Sequence, residues 1–116
     1  MPYVQVRVSV PLTKEQIQKL AEETLHSISL IPGKSAPVTM AEIVPDCHLY
    51  FGSTDGAPCA LVDVACNNTP DSEDLKAYSK NICKTLNAVA GIDLTRIYIK
   101  HHGNPEWHSG KRLFGE

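Results

Sequence analysis

The chain has 116 residues, of which 42% are hydrophobic and 21% charged, and we expect it to form a single globular domain over residues 1–116. Its net charge of −2 and pI near 6.2 argue against the basic surface that nucleic-acid binding requires. No apolar run approaches the ~18–20 residues of a membrane span. The start of the chain shows no basic region followed by an apolar stretch. We therefore expect a cytoplasmic protein that binds neither membranes nor nucleic acids.

The cysteines and histidines do not show the spacing of a metal site. No two cysteines are spaced as C-x-x-C, so we expect reduced thiols rather than a disulfide framework or a zinc site; the four are Cys47, Cys59, Cys66 and Cys83. His101 and His102 are adjacent on a predicted strand, so their side chains should point to opposite faces and form a poor chelate. The spacing of these residues thus predicts no metal site.

The first residues, Met1-Pro2-Tyr3, suggest an unusual functional group. Removal of Met1 would leave Pro2 as the N-terminus with a free secondary amine. An α-amino group titrates near ~8 in model peptides, and burial or neighbouring cations lower that pKa. Pro2 could then act as a general base at neutral pH. The alternative is that Pro2 is simply a common second residue.

The first half of the chain predicts a strand, a helix and a second strand. Alternating residues over Tyr3–Val10 indicate a strand that Pro11 ends. Thr13 and Gln16 form a capping-box pattern before a helix that should end near Ser29. The residues of its predicted inner face, all apolar except Thr24, recur at helical spacing: Ile17, Leu20, Ala21, Thr24, Leu25 and Ile28. Pro32 and Gly33 then break the helix, and the second strand is predicted over Val38–Val44.

The second half repeats this plan. A strand is predicted over Cys59–Cys66, followed by a helix capped by Asp71 or Ser72 and closed by Gly91. The apolar face of this helix comprises Leu75, Tyr78, Ile82, Leu86 and Val89. A further strand is predicted over Arg96–Lys100. The polar tail offers three apolar anchors: Trp107, Leu113 and Phe114.

Two β-α-β units, residues 1–58 and 59–116, predict an α+β fold built by duplication. Side by side, the units would form a four-stranded sheet with two helices on one face. Both faces of the predicted strands carry apolar residues, and no third helix is available to cover the second face. Oligomerisation through that face is therefore expected.

Several stretches, taken in order, resemble one protein family. They are Met1-Pro2, Gly33-Lys34, Phe51–Thr54 followed by Pro58–Leu61, Tyr78–Lys80, Asp93–Ile99 and the tail with Trp107 and Phe114. This set resembles the tautomerase superfamily, and most closely its macrophage migration inhibitory factor (MIF) branch. The resemblance implies a homotrimer whose sheets wrap into a barrel. It also implies cofactor-free keto–enol tautomerisation of phenylpyruvate-like 2-keto acids.

The resemblance also implies roles for individual residues. Pro2 matches the catalytic base, and Lys34 matches the pocket lysine beside it. Asn67 matches a position whose backbone contacts the substrate carboxylate, and Tyr98 matches a tyrosine that reaches the pocket from the neighbouring subunit. Lys100 replaces an asparagine of the family factor and should share a sheet face with Tyr98, which makes it a further pocket candidate. Taken alone, a lysine such as Lys34 is more often a solvated loop residue, and a tyrosine such as Tyr98 is more often a core residue than a catalytic one.

The chain departs from the family pattern around the predicted pocket. The usual Gly-Lys-Pro is Gly33-Lys34-Ser35, and the usual Ser-Ile-Gly lies where this chain has Ala65-Cys66-Asn67-Asn68-Thr69. These changes leave the substrate open, including a related decarboxylation or hydration of an unsaturated acid. The alternative function is a cytokine-like protein with a vestigial pocket that binds a protein receptor. Secretion without a signal peptide is a feature of the family, so secretion stays open beside a cytoplasmic location.

Overall fold

A computed structural model describes residues 2–111, and it contains the predicted doubled β-α-β order. The six main elements are β1 (Tyr3–Val8), α1 (Lys14–Ser27), β2 (Met40–Val44), β3 (Ala60–Cys66), α2 (Ser72–Ala90) and β4 (Ile97–Gly103). Short 3-10 turns occupy Ile28–Leu30, Ala36–Val38 and Leu94–Arg96. Of the predicted tail anchors, Leu113 and Phe114 lie outside the described residues. No helix in residues 2–111 has the length and apolarity needed to cross a membrane.

The four strands form one mixed sheet in the order β2-β1-β3-β4. Strands within each unit are parallel, as a β-α-β crossover requires, and β1 runs antiparallel to β3 where the units meet. In that central pairing, Tyr3 lies opposite Ala65 and Val8 lies opposite Ala60. The first residues of β1 therefore lie beside the last residues of β3.

Both helices pack on one face of the sheet, as predicted. Alternate residues of the central strands point toward them and are buried, among them Val4, Val6, Val8, Val62 and Val64. The helices contribute buried residues at helical spacing: Leu20 and Thr24 from α1, and Tyr78, Ile82 and Leu86 from α2. Burial of this continuous apolar cluster provides the main stabilisation of the fold.

The predicted capping box of α1 and glycine cap of α2 are confirmed, whereas Asp71, at the N-cap of α2, makes no capping hydrogen bond through its side chain. Gln16 donates its backbone N–H to Thr13 Oγ1 at 3.1 Å, and Thr13 donates its own to Gln16 Oε1 at 2.8 Å. Gly91 ends α2 in the left-handed region, at φ 68°, and its N–H reaches back to the last turn of the helix. That conformation is costly for a residue with a Cβ, which explains glycine at this position.

The predicted strand boundaries were less accurate. β1 ends at Val8 rather than Val10; just beyond it Ser9 N–H still donates to Cys59 O at 3.0 Å, but Cys59 N–H donates to the Ser9 side chain at 2.9 Å. β2 begins at Met40 rather than Val38, because the preceding residues form a 3-10 turn containing Pro37. β4 begins later than Arg96 and continues to Gly103.

The uncovered face of the sheet is more polar than predicted. Register places Glu42, Gln5, Asp63 and Lys100 in one row across the four strands. Glu42 accepts hydrogen bonds from the Tyr3 hydroxyl at 2.6 Å and from Gln5 Nε2 at 2.8 Å. The bond from Tyr3 is the main cause that lowers the pKa of Glu42. Exposed apolar side chains on this face, such as Met40 and Tyr98, lie outside that row. A partner covering this face would therefore contact both polar and apolar side chains.

Candidate active site

Pro2 lies at the start of β1 and is buried. Its carbonyl oxygen accepts a hydrogen bond from Met40 N–H at 3.0 Å, which ties it to β2. A largely apolar cleft of about 510 Å³ opens beside it, lined by Pro2, Tyr3, Val38, Met40 and the tail segment Trp107–Gly110. An amine in such surroundings is disfavoured in its charged form. The predicted base is therefore fixed on a rigid sheet at a cleft large enough for a small aromatic molecule.

Lys34 and Asn67, two predicted substrate-binding residues, are in contact. The Lys34 ammonium donates to Asn67 Oδ1 at 2.7 Å and to Asn68 Oδ1 at 3.0 Å. Lys34 follows Gly33, whose φ of +84° suits glycine, and its backbone N–H donates to Ile31 O at 3.1 Å. The involvement of Asn68 was not predicted. The sequence signal for it was the departure from Ser-Ile-Gly in this segment.

Cys66 lies at the end of the sheet that holds Pro2, and it is affected by the charge of Lys34. It is the last residue of β3, beside the start of β1, and is 2% exposed. Burial raises the pKa of the Cys66 thiol, and the positive charge of Lys34 partly offsets that rise. The ammonium therefore acts electrostatically at the same end of the sheet that holds Pro2.

Tyr98 lies near the opposite end of the sheet. Its partner on β3 is Leu61, whereas the β3 partner of Tyr3 is Ala65. At about 3.3 Å per residue, Tyr98 and Tyr3 are therefore roughly 13 Å apart along the strand direction. Tyr98 as a whole residue is 65% exposed, and its ring lies 4.9 Å from that of Phe51, centroid to centroid. Tyr98 also lines a separate groove of about 370 Å³ with Leu49, Tyr50, Phe51, Gly52, Cys59, Ala60 and Leu61. One chain alone does not bring Tyr98 to Pro2.

Lys100 lies on the same sheet face as Tyr98, as predicted from strand alternation. Its ammonium is 3.5 Å from Asp63 Oδ2, and His102 Nε2 is 3.0 Å from Asp63 Oδ1. The Lys100 side chain is 63% exposed, so this ion pair adds little to stability. It does, however, place a carboxylate directly beside the positive charge of Lys100.

The adjacent histidines face opposite sides of the sheet. The His102 side chain contacts the Asp63 carboxylate. His101 instead faces α2, with its Nε2 at 2.9 Å from Ser79 Oγ and its ring against Tyr78. Burial lowers the pKa of His101 and raises that of Tyr78 well above its usual range. Within residues 2–111, no three His, Cys, Asp or Glu side chains are grouped so as to hold a metal ion.

The duplicated β-α-β sheet, with a buried proline at the start of its first strand, is a tautomerase-type α+β fold. The chain belongs to the macrophage migration inhibitory factor (MIF) family, whose sequence model matches residues 1–112. It is 31% identical to macrophage migration inhibitory factor of Xenopus laevis over 97 residues, covering 83% of this chain and 77% of that protein.

Two further comparisons agree with this assignment. The Xenopus tropicalis factor is 35% identical over 71 residues, an alignment that spans 60% of each chain. The crystal structure of Leishmania major MIF2 superposes with a TM-score of 0.85, covering 95% of this chain and 94% of that one. Its sequence identity is 22%, so this likeness concerns the fold alone.

Proposed function

We propose that this protein is a cofactor-free keto–enol tautomerase of small aromatic 2-keto acids such as phenylpyruvate. Its general base is Pro2, whose nitrogen becomes a free secondary amine when Met1 is removed. The observation that supports this best is the position of Pro2, buried at the edge of a largely apolar cleft of about 510 Å³. Membership of the MIF family, which includes tautomerases, agrees with it.

The proposed reaction moves one proton between carbon and oxygen. The neutral Pro2 nitrogen takes a proton from C3 of the keto acid. The electron pair of the broken C–H bond forms the C2–C3 double bond, and the 2-oxo oxygen gains a proton, so that the enol results. Ketonisation is the reverse. A base in an apolar cleft is more readily neutral at pH 7, and a general base contributes typically about 10²–10⁴-fold to the rate.

The substrate carboxylate requires a positive partner, and Lys34 is the best candidate. Its ammonium lies near the end of β3 that adjoins β1, and its two asparagine partners are uncharged, so its positive charge is not neutralised. Asn67 contributes to the same site. Lys34 and Asn67 would thus bind the substrate carboxylate and place the C3 proton next to the Pro2 nitrogen.

Completion of the site requires a second subunit. We propose a homotrimer in which Tyr98 and Lys100 of one chain reach the Pro2 cleft of its neighbour. Tyr98 is exposed and lies roughly 13 Å along the strands from Tyr3, with Pro2 one residue further, which favours this arrangement over a site within one chain. In that position the Tyr98 hydroxyl would donate to the developing enolate oxygen.

The test compares the purified protein with a Pro2→Gly variant, which also keeps a small second residue after Met1. Enol–keto conversion of phenylpyruvate is followed by ultraviolet absorbance. We expect a rate loss of about 10²-fold or more for the variant. Equal rates would refute the proposed role of Pro2.

A second candidate function is that of a MIF-like receptor-binding protein with weak or vestigial turnover. It is favoured by the fact that one candidate cation, Lys100, already lies beside the carboxylate of Asp63. NMR titration of the Pro2 amine separates the two functions. An ordinary amine pKa, together with no turnover of a panel of 2-keto and unsaturated acids, would support receptor binding; a lowered pKa with turnover would exclude a vestigial pocket.

A further inference from the structure

We infer that Asn68 is a positioning residue that holds the Lys34 ammonium in place for the carboxylate of the substrate. This inference rests on the proposed function, because it concerns the same site. The family pattern Ser-Ile-Gly has no amide side chain in this segment, whereas this chain places two amides in succession on Lys34.

The chemistry of the contact suits a charge that is held but not neutralised. An ammonium has three N–H donors, and Lys34 gives two of them to the neutral oxygens of Asn67 and Asn68. One donor and the full positive charge are left for an anion. Lys100 provides the contrast within the same chain, because its partner is the carboxylate of Asp63.

The loop that carries Asn68 is fixed by close packing against the end of β4. A Cβ at Gly103 would come within 2.6 Å of Thr69 Oγ1 and within 3.0 Å of the Asn68 backbone carbon. Asn104 also donates its backbone N–H to Cys66 O at 2.7 Å, immediately before the two asparagines. The turn that carries the two side-chain oxygens is thus already fixed. Less conformational entropy is therefore lost when these oxygens order the long Lys34 side chain.

This arrangement predicts selection for a carboxylate over a neutral group of the same shape. With Asn68 in place, the ammonium keeps one orientation, and a bound carboxylate gains a charge-assisted hydrogen bond. Without it, Lys34 remains charged but samples more rotamers. Replacing Asn68 by Asp would instead pair Lys34 with an anion of the protein itself.

The test measures binding rather than turnover, using 3-phenylpropanoate and its uncharged amide, neither of which has a 2-oxo group to tautomerise. Dissociation constants are measured by NMR titration for the wild type, Asn68→Ala and Asn68→Asp. The matched control is Asn81→Asp, which adds the same charge on α2. We expect the wild type to prefer the acid, Asn68→Ala to weaken acid binding by roughly three- to tenfold, and Asn68→Asp to weaken it further.

The outcomes are distinct. Amide binding should stay unchanged in all variants, and Asn81→Asp should bind both probes as the wild type does. Gly103→Ala, which displaces the Asn68 backbone but removes no polar group, should weaken acid binding selectively. Equal loss of acid and amide binding, unchanged acid binding in Asn68→Asp, or failure of the wild type to bind the acid would each overturn the inference. Failure of the tautomerase proposal would appear separately, as equal phenylpyruvate turnover by the wild type and Pro2→Gly.

Discussion

Mixing two inactive variants tests whether Tyr98 serves the Pro2 site of a neighbouring subunit. One variant, Pro2→Gly, replaces the secondary amine of proline with the primary amine of a flexible glycine, and the other, Tyr98→Phe, lacks the hydroxyl donor. Loss of one donor to a developing oxyanion costs roughly 10²-fold in rate. Within one chain, Tyr98 lies roughly 13 Å along the strands from Tyr3 and further still from Pro2, which is too far for Pro2 and Tyr98 to contact one small keto acid.

The expected recovery follows from the geometry. In randomly mixed trimers at equal amounts, a site is intact when one subunit keeps Pro2 and its neighbour keeps Tyr98, which holds for about one quarter of the sites. The matched control mixes wild type with the Pro2→Gly/Tyr98→Phe double variant. A site shared between subunits again predicts about one quarter, whereas a site within one chain predicts about one half in the control and none in the first mixture.

The assay is phenylpyruvate turnover after the chains are mixed in denaturant and refolded, with the mass of the assembly measured by light scattering. Near-equal recovery in the two mixtures would support the shared site. Recovery in the control alone would refute it, and so would a monomeric mass at full activity.

Two further predictions concern the interior. Tyr78→Phe should stabilise the protein by about 1 kcal/mol, because the Tyr78 ring is fully buried and its hydroxyl has no hydrogen-bond partner among the described residues. Urea unfolding against the exposed control Tyr50→Phe measures this, and a loss of stability would reveal a hydrogen-bond partner. His101→Gln should flatten the loss of stability on acidification. Burial lowers the pKa of His101 in the folded state, so as pH falls below its ordinary value of 6.5 the unfolded chain binds the proton first, and unfolding is favoured. Unfolding free energies at about pH 7.5 and 5.5, with His48→Gln as control, test the sign; the same pH dependence in His101→Gln as in the wild type would contradict it.

Local sequence patterns predicted the architecture well because they act over short distances. The Thr13–Gln16 capping box and the Gly91 cap each depend on a few neighbouring residues, and both occur as expected. Strand ends were less predictable because they depend on the partner strand. Ser9, for example, bonds the distant Cys59 backbone through both its N–H and its side chain, just beyond the last residue of β1.

The candidate site was predictable only in part. Lys34 and Asn67 were identified through the family resemblance, and they are in contact. Asn68 was missed, because a contact between residues 34 positions apart has no local signature. The polar row containing Asp63 was also missed, since it arises from the register of four strands rather than from any one of them.

The most direct test of the central claim converts the Pro2 nitrogen from an amine into an amide. Inserting one alanine between Met1 and Pro2 makes this nitrogen an amide without basicity and leaves every side chain of the sheet in place. Intact mass identifies the first residue of each protein, and circular dichroism checks the fold. We predict that wild type beginning at Pro2 converts phenylpyruvate and that the folded insertion variant loses about 10²-fold or more of that rate. Equal turnover by the two proteins would contradict the proposal that Pro2 is the base.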